Sequence, residues 1–242
     1  MKLFAYGRWL AVWLLFAVYT PALTGADQGV ERLISIARPT GATLELTIEQ
    51  QGQEPYRAMM DYLIKGKELF IRLHILNGKL TNRRAALKLG AGEYYVYHPL
   101  LGVNAVSRNQ LMRQFRFAGF NLDDMVLTLD PLHYGKESDW SSRHSDGRQI
   151  IASPANRMGC RSEFYFKPEM LLPYQARLCR ESGSNGRLVE LAGQTKWRDY
   201  ILPKRLLYKQ GRTTITSIRL RPTDSDRWKD MSLYSKDQFT RE

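Results

Sequence analysis

The side chains able to do chemistry are few and widely separated in this chain. The four histidines, His74, His98, His133 and His144, have no metal-ligand spacing between them. The sequence has no G-x-S-x-G nucleophile motif and no glycine-rich loop that opens a helix after a strand. We therefore expect a protein that is not an enzyme and that holds no metal or cofactor.

The neighbouring carboxylates Asp123 and Asp124 are the best acid–base candidates. Paired carboxylates can separate their pKa values and share general acid–base work. Asn121 precedes them in an N-cap position, however, and both fall in the first turn of a predicted helix, where carboxylates complement the helix dipole. Capping is the favoured interpretation; an enzyme that acts through Asp123, Asp124 or His98 is the alternative.

Basic and aromatic residues are mixed just before this pair, at Arg108, Arg113, Phe115, Arg116, Phe117 and Phe120. Such interleaving can stack single-stranded bases. The formal net charge of +12, from 36 Lys and Arg against 24 Asp and Glu, favours anionic partners of any kind. Charge alone does not choose between nucleic acid, a lipid headgroup and an acidic protein surface.

The amino-terminal segment decides between these partners. Basic residues precede an unbroken apolar run over 9–19, Pro21 follows, and small residues continue to Ala26. The run fits a signal-peptide core and is short for a membrane span. We predict a cleavable signal peptide over 1–26 and a single domain over 27–242, with an uncleaved anchor as the alternative. Because an exported protein rarely meets nucleic acid, we expect no nucleic-acid partner.

Two cysteines, Cys160 and Cys179, flank a predicted hairpin in this oxidising setting. Phe164 and Phe166 alternate with polar neighbours, and the chain turns near Glu169. Folding the segment as a hairpin brings the two cysteines opposite each other, which predicts a disulfide. Two free buried thiols are the alternative.

Most of the remaining chain alternates with period two, which is typical of strands with one buried face. GVERLISIAR is the main exception, with helical spacing, and the pattern becomes helical again in part of SRNQLMRQF and in NLDDMVLTL. The predicted strands number about ten to twelve with tight turns, which indicates an antiparallel barrel or curved sheet. They are ATLELTIEQ, YRAMMDYLI, LFIRLHI, RAALKL, EYYVYHP, GVNAVS, GRQIIAS, the cysteine hairpin, GRLVELAG, KRLLYKQ, TTITSIRL and a final MSLYS.

The chain contains Tyr95-x-Tyr97-x-Pro99 and, further on, Phe117-Ala-Gly119-Phe120 followed by Asp123-Asp124. These short motifs resemble those of the outer-membrane lipoprotein-sorting proteins of the LolA/LolB-like superfamily. One branch of that family reads W-x-Y-x-P, then F-x-G-S-x-F-x-x-[DE]-D, and closes with F-T. This chain differs in having Tyr95 in place of the tryptophan and in joining Gly119 directly to Phe120. The matching elements are Tyr95-x-Tyr97-x-Pro99, Phe117-Ala-Gly119-Phe120, Asp123-Asp124, Leu172-Pro173, Leu202-Pro203 and Phe239-Thr240.

The resemblance implies a half-closed antiparallel β-barrel with a helical lid over an apolar cavity. It implies a carrier in the Gram-negative periplasm that moves acyl chains of lipoproteins or lipids from an inner-membrane transporter to an outer-membrane acceptor, with transient contact with the membrane surface. The lid candidate is the segment 121–129. The candidate cavity and lid residues are Met60, Tyr62, Phe70, Tyr95, Tyr97, Phe117, Phe120, Leu122, Met125, Phe164 and Phe166. An envelope sensor or transporter accessory protein that uses the same fold to bind another protein is the alternative function.

Overall fold

The computed structural model describes residues 39–66, 68–78, 83–88, 93–107, 110–111, 140–155, 159–179 and 187–239. Thirteen strands form a single sheet in these residues. The strands are β1 (Gly41–Gln50), β2 (Tyr56–Lys65), β3 (Glu68–Ile75), β4 (Arg84–Lys88), β5 (Glu93–His98), β6 (Gly102–Ala105), β7 (Ser141–Ser145), β8 (Arg148–Ala152), β9 (Glu163–Phe166), β10 (Gln175–Leu178), β11 (Arg187–Trp197), β12 (Tyr200–Gln210) and β13 (Thr213–Pro222).

The sheet is an antiparallel meander whose two halves are joined by its first and last strands. Its order is β6-β5-β4-β3-β2-β1-β13-β12-β11-β10-β9-β8-β7. β6 and β7 are successive along the chain and form the two edges of the sheet, so the sheet stays open where a closed barrel would pair them. The predicted half-closed antiparallel barrel is confirmed, with one more strand than the upper end of the expected range.

Side-chain alternation gives the sheet one apolar face, which we call the inner face. Leu44 and Leu46 of β1 lie beside Met60 of β2 and Leu220 of β13, and all are buried. The same face continues through Val189 of β11 to the other half of the sheet, and its buried residues belong to one hydrophobic cluster. Burial of this continuous surface is the main force that holds the open sheet together.

The hairpin of β7 and β8 shows why one strand is absent from the sequence-based prediction. β7 reads SSRHS and has no alternation of apolar and polar residues, so only the turn that follows it indicates a hairpin in the sequence. That turn is Asp146-Gly147, with φ angles of 52° and 69°, which a two-residue hairpin with the twist of the strands requires. The final predicted strand MSLYS is wrong, because Met231–Tyr234 forms a 3₁₀ helix.

The predicted disulfide is confirmed. β9 and β10 pair in an antiparallel hairpin, and Cys160 and Cys179 are bonded beside its open end with a Cα–Cα distance of 5.9 Å. Ser162 reinforces this end of the hairpin, because its hydroxyl accepts a hydrogen bond of 3.0 Å from the Cys179 amide.

The C-terminal strap, which we define as residues 227–239, packs on the opposite face of the sheet, which we call the outer face. It consists of three 3₁₀ helices, Arg227–Lys229, Met231–Tyr234 and Asp237–Phe239. Its buried residues Trp228, Leu233 and Phe239 give it an apolar underside. The strap therefore covers outer-face residues of β1 to β4 that would otherwise meet water.

Candidate functional site

The inner face is the candidate binding surface, since it is the largest apolar surface that the described strands share. The register aligns Met60 with Leu44 and Leu73, and Tyr62 with Ala42 and Ile71. All of these residues are at most 1% exposed. A ligand can reach them only by displacing the protein's own packing.

Four of the predicted cavity residues lie on this face. Met60 and Tyr62 are in its β2 part, and Phe164 and Phe166 are in its β9 part. Phe164 is opposite Ile151 and Ala176, which places it in the same apolar row as β11. These four share one surface, and their contact with a ligand stays a prediction.

Three of the predicted cavity residues lie on the outer face instead. Phe70 is opposite Leu63, one position out of phase with Tyr62 and Ile71. Its ring packs 5.7 Å from that of Tyr234 in the C-terminal strap. Its burial comes from the strap, so the structure does not bring Phe70 together with Met60.

Tyr95 and Tyr97 also belong to the outer face, because Val96 between them is the buried inner-face residue. The Tyr97 ring lies under the Arg84 guanidinium at 4.9 Å. The Tyr95 hydroxyl donates to Glu93 at 3.3 Å, and partial burial, with help from this carboxylate, raises the pKa of Tyr95. These tyrosines therefore lie on the face opposite to that of Met60, and their contact with a ligand stays a prediction.

Some of the predicted residues and segments lie outside the described residues. They are Phe117, Phe120, Leu122, Met125, the signal segment 1–26 and the lid segment 121–129.

Both ends of the connection that contains the lid segment are described. Ser107 and Gln110 form a capping box, in which the Gln110 side chain accepts from the Ser107 amide at 2.7 Å and the Ser107 hydroxyl accepts from the Gln110 amide at 3.3 Å.

The described ends of this connection, which spans residues 106–140, contribute side chains to the core. Leu111 follows the capping box and is buried in the inner-face cluster. Trp140 precedes β7 and belongs to the same cluster, with its ring 5.9 Å from that of Phe164. Neither residue was a sequence candidate, because the apolar spacing around them does not reveal their neighbours across the sheet.

A buried polar network joins the outer face to the C-terminal strap. The Asp61 carboxylate accepts a hydrogen bond of 2.6 Å from the Thr43 hydroxyl and lies 3.3 Å from Nε of Arg227. Arg84 donates to the Phe239 carbonyl oxygen at 2.8 Å, and the Arg72 guanidinium lies 5.7 Å from the Phe239 ring centre. Alternation in β2, β3 and β4 therefore places apolar groups inside and a charged network under the strap.

His98, one of the acid–base candidates, lies at the end of β5. His98 Nδ1 accepts a hydrogen bond from the Leu100 amide in the β5–β6 turn, which gives this histidine a structural role. The described part of the chain contains no group of three His, Cys, Asp or Glu residues that could hold a metal ion. Within that same part, no helix has the length and hydropathy needed to cross a membrane.

Three solved structures with similar folds identify the architecture. A domain from Vibrio parahaemolyticus, described as an outer membrane lipoprotein-sorting protein, has a TM-score of 0.62 at 13% identity over 89% of this chain and 98% of its own. A DUF1329 family protein from Desulfovibrio piger has a TM-score of 0.59 at 12% identity, covering 86% of this chain and 97% of its own.

A LolA superfamily protein from Nitrosomonas europaea has a TM-score of 0.55 at 13% identity over 89% of this chain and 100% of its own. No family model and no curated protein matches the chain by sequence. The fold is thus that of an open, LolA-like antiparallel barrel. This agrees with the resemblance that the sequence motifs indicate.

Proposed function

We propose that this protein is a periplasmic carrier of acyl chains, belonging to lipidated proteins or to lipids, between the inner and outer membranes of a Gram-negative cell. The observation that carries the proposal is the continuous apolar inner face inside a sheet that is left open between β6 and β7. An acyl chain is a long, flexible apolar group, and such a surface offers it contacts along its whole length.

The energetics favour such a ligand. Burying an acyl chain contributes about 0.8 kcal/mol per methylene, or on the order of 10 kcal/mol for a common chain before ordering costs. The ligand competes with the packing of Met60 and its neighbours, which are fully buried in this structure. This competition reduces the net affinity and allows release, which a carrier needs.

The open side of the sheet is the proposed entrance. Among the described strands, β6 pairs only with β5 and β7 only with β8. Leu111 and Trp140 occupy the core at the two ends of the connection between them. Displacement of these two side chains would expose the inner face beneath them without breaking any of the described strand pairs.

The proposed compartment and partners follow from the chain's covalent chemistry and charge. The Cys160–Cys179 disulfide suits an exported protein, because such bonds persist in oxidising compartments. The net charge of +12, of which Lys2 and Arg8 in the predicted signal peptide supply two, suits transient contact with anionic headgroups or with acidic faces of a membrane transporter and an outer-membrane acceptor. The proposal requires no cofactor and no nucleic acid.

A solubilisation assay tests the proposal. A fluorescent peptide carrying a diacylated cysteine is placed in vesicles, the purified protein is added, and the vesicles are removed by centrifugation. We expect peptide and protein to remain together in solution and oleic acid to compete, whereas glycerol 3-phosphate, which has no acyl chain, does not. Failure to extract the peptide, or competition by glycerol 3-phosphate, would contradict the proposal.

A further inference from the structure

Two hydrogen-bonding side chains on the inner face have no hydrogen-bond partner in the part of the protein that the structure describes. Gln50, at the end of β1, is 6% exposed, and neither its Oε1 nor its Nε2 makes a hydrogen bond. Tyr56, at the start of β2, is 5% exposed, and its hydroxyl is unpaired as well. Because unsatisfied buried polar groups destabilise a fold, their presence here points to a partner that binds from outside.

The strand register places these two groups side by side. Tyr56 is directly opposite Ile48, so Gln50 is its diagonal neighbour on the same face. Diagonal neighbours in an antiparallel pair are about 7–8 Å apart at Cα, within reach of long side chains. One small polar group placed between the two could bond to both.

The surroundings limit the chemistry of that group. The inner-face residues of β1, β2 and β13 are all uncharged, and Thr216 and Ile218 are the β13 neighbours of this end of β1. An ionised group brought here would lose its hydration without gaining a counter-charge. Burial raises the pKa of Tyr56, which keeps its hydroxyl protonated as a donor. The Gln50 amide both donates and accepts.

We propose that Gln50 and Tyr56 bind the uncharged polar linkage of an acyl ligand, an ester carbonyl or hydroxyl on glycerol, while the hydrocarbon lies along the apolar inner face. This assignment rests on the proposed carrier function and adds the class of ligand. The same linkage occurs in free diacylglycerol and in the diacylglyceryl group of a lipidated cysteine. The two sources present one chemistry to the pair.

Displacement of cis-parinaric acid from the purified protein tests the assignment. The ligands are 1,2-dioleoylglycerol, a diacylglyceryl-cysteine peptide and 1-octadecene, which has no polar linkage. In Gln50→Leu we expect about tenfold weaker binding of the ester-bearing ligands, the effect of losing one good hydrogen bond, and unchanged binding of octadecene. The unliganded variant should melt at a higher temperature than the wild type, since it lacks the unsatisfied amide.

Two further variants secure the comparison. Gln53→Leu makes the same change at an exposed position in the β1–β2 turn and should bind every ligand as the wild type does. Tyr56→Phe removes one oxygen atom and gives a second reading if Gln50→Leu fails to fold. Weakening confined to one of the two ester-bearing ligands supports the assignment and identifies the source.

The assignment is overturned if both inner-face variants bind the ester-bearing ligands as tightly as the wild type, or if octadecene binding falls equally. A different outcome marks failure of the carrier function itself: the wild type then binds neither octadecene nor any ester-bearing ligand.

Discussion

Truncating one buried aromatic ring on each face of the sheet should separate the ligand surface from the rest of the core. Phe164 is fully buried on the inner face, between Ile151 and Ala176. Phe70 is 5% exposed on the outer face, under Tyr234 of the C-terminal strap. Phe164→Ala and Phe70→Ala remove the same atoms from equally buried positions and form a matched pair.

Both variants should lose stability by a similar amount. Removing a buried phenylalanine ring costs about 3–5 kcal/mol. For a chain of about 150–250 residues, each kcal/mol lowers the melting temperature by about 2–4 °C. We therefore expect a decrease of roughly 6–20 °C for each variant, measured by circular dichroism without ligand.

Ligand should distinguish them. Oleic acid at about 100 times its Kd adds about 2.7 kcal/mol of stability to a protein that binds it only when folded. In Phe164→Ala the space left by the ring lies on the proposed binding surface, so the ligand should bind more tightly and restore more stability than in the wild type. Phe70→Ala should gain no more than the wild type does. Equal rescue of the two variants, or no rescue of either, would refute the placement of the ligand on the inner face.

Three other substitutions test contacts that stabilise the sheet around the inner face. Cys160→Ser removes the disulfide between residues 19 positions apart and should lower the free energy of unfolding in urea by about 3 kcal/mol. Reductant should lower the stability of the wild type by the same amount. An unchanged urea midpoint in the variant would contradict a stabilising role of the disulfide. Gly41→Ala would force a Cβ against the Trp228 ring and within 2.6 Å of the Tyr62 carbonyl oxygen. We therefore expect about 1–3 kcal/mol of destabilisation and faster tryptic cleavage in the C-terminal strap. Cleavage at the wild-type rate would contradict the close packing of the strap on β1. Hydrogen bonds from Lys229 and Arg198 lower the pKa of Asp226. The stability that this carboxylate contributes is therefore present above the ordinary aspartate pKa of about 3.9 and is lost as pH falls through the lower pKa of the folded state. Asp226→Asn should reduce the acid-induced loss of stability in a stability–pH curve, and an unchanged loss would exclude the carboxylate as its cause.

The sequence predicts the sheet well because burial on one face imposes strict alternation. In ATLELTIEQ, for example, the apolar residues Ala42, Leu44, Leu46 and Ile48 alternate with polar ones, and the structure places all four on the inner face of β1. β7 escapes detection because SSRHS at the edge of the sheet is exposed and has little apolar surface to bury. In the sequence, an edge strand of this kind is indicated mainly by the residues of its turn.

The assignment of residues to faces is harder where both sides of a strand are apolar or aromatic. β5 carries Tyr94 and Val96 on one face and Tyr95 and Tyr97 on the other, so alternation cannot say which face is inside. Phe70 presents the same ambiguity in β3, since it is buried by a strap that is distant in sequence. In both strands, packing against residues distant in sequence determines which face is the inner one, and the local sequence pattern does not show this packing.

The polar pair Gln50 and Tyr56 is invisible to sequence reasoning for a different reason. Glutamine and tyrosine at strand ends are ordinary solvent-facing residues. Only the tertiary structure shows that both are buried and have no hydrogen-bond partner among the described residues. The disulfide, by contrast, was predictable, because the hairpin between its cysteines fixes their distance locally.

Mass spectrometry of organic extracts from protein purified out of the periplasm tests the central claim most directly. Extracts of the wild-type protein should contain acyl lipid or lipopeptide in near-stoichiometric amount, and extracts of an unrelated periplasmic protein prepared in parallel should not. Wild-type protein that is free of acyl compounds and tightly bound to a protein partner would contradict the carrier function and favour an envelope sensor.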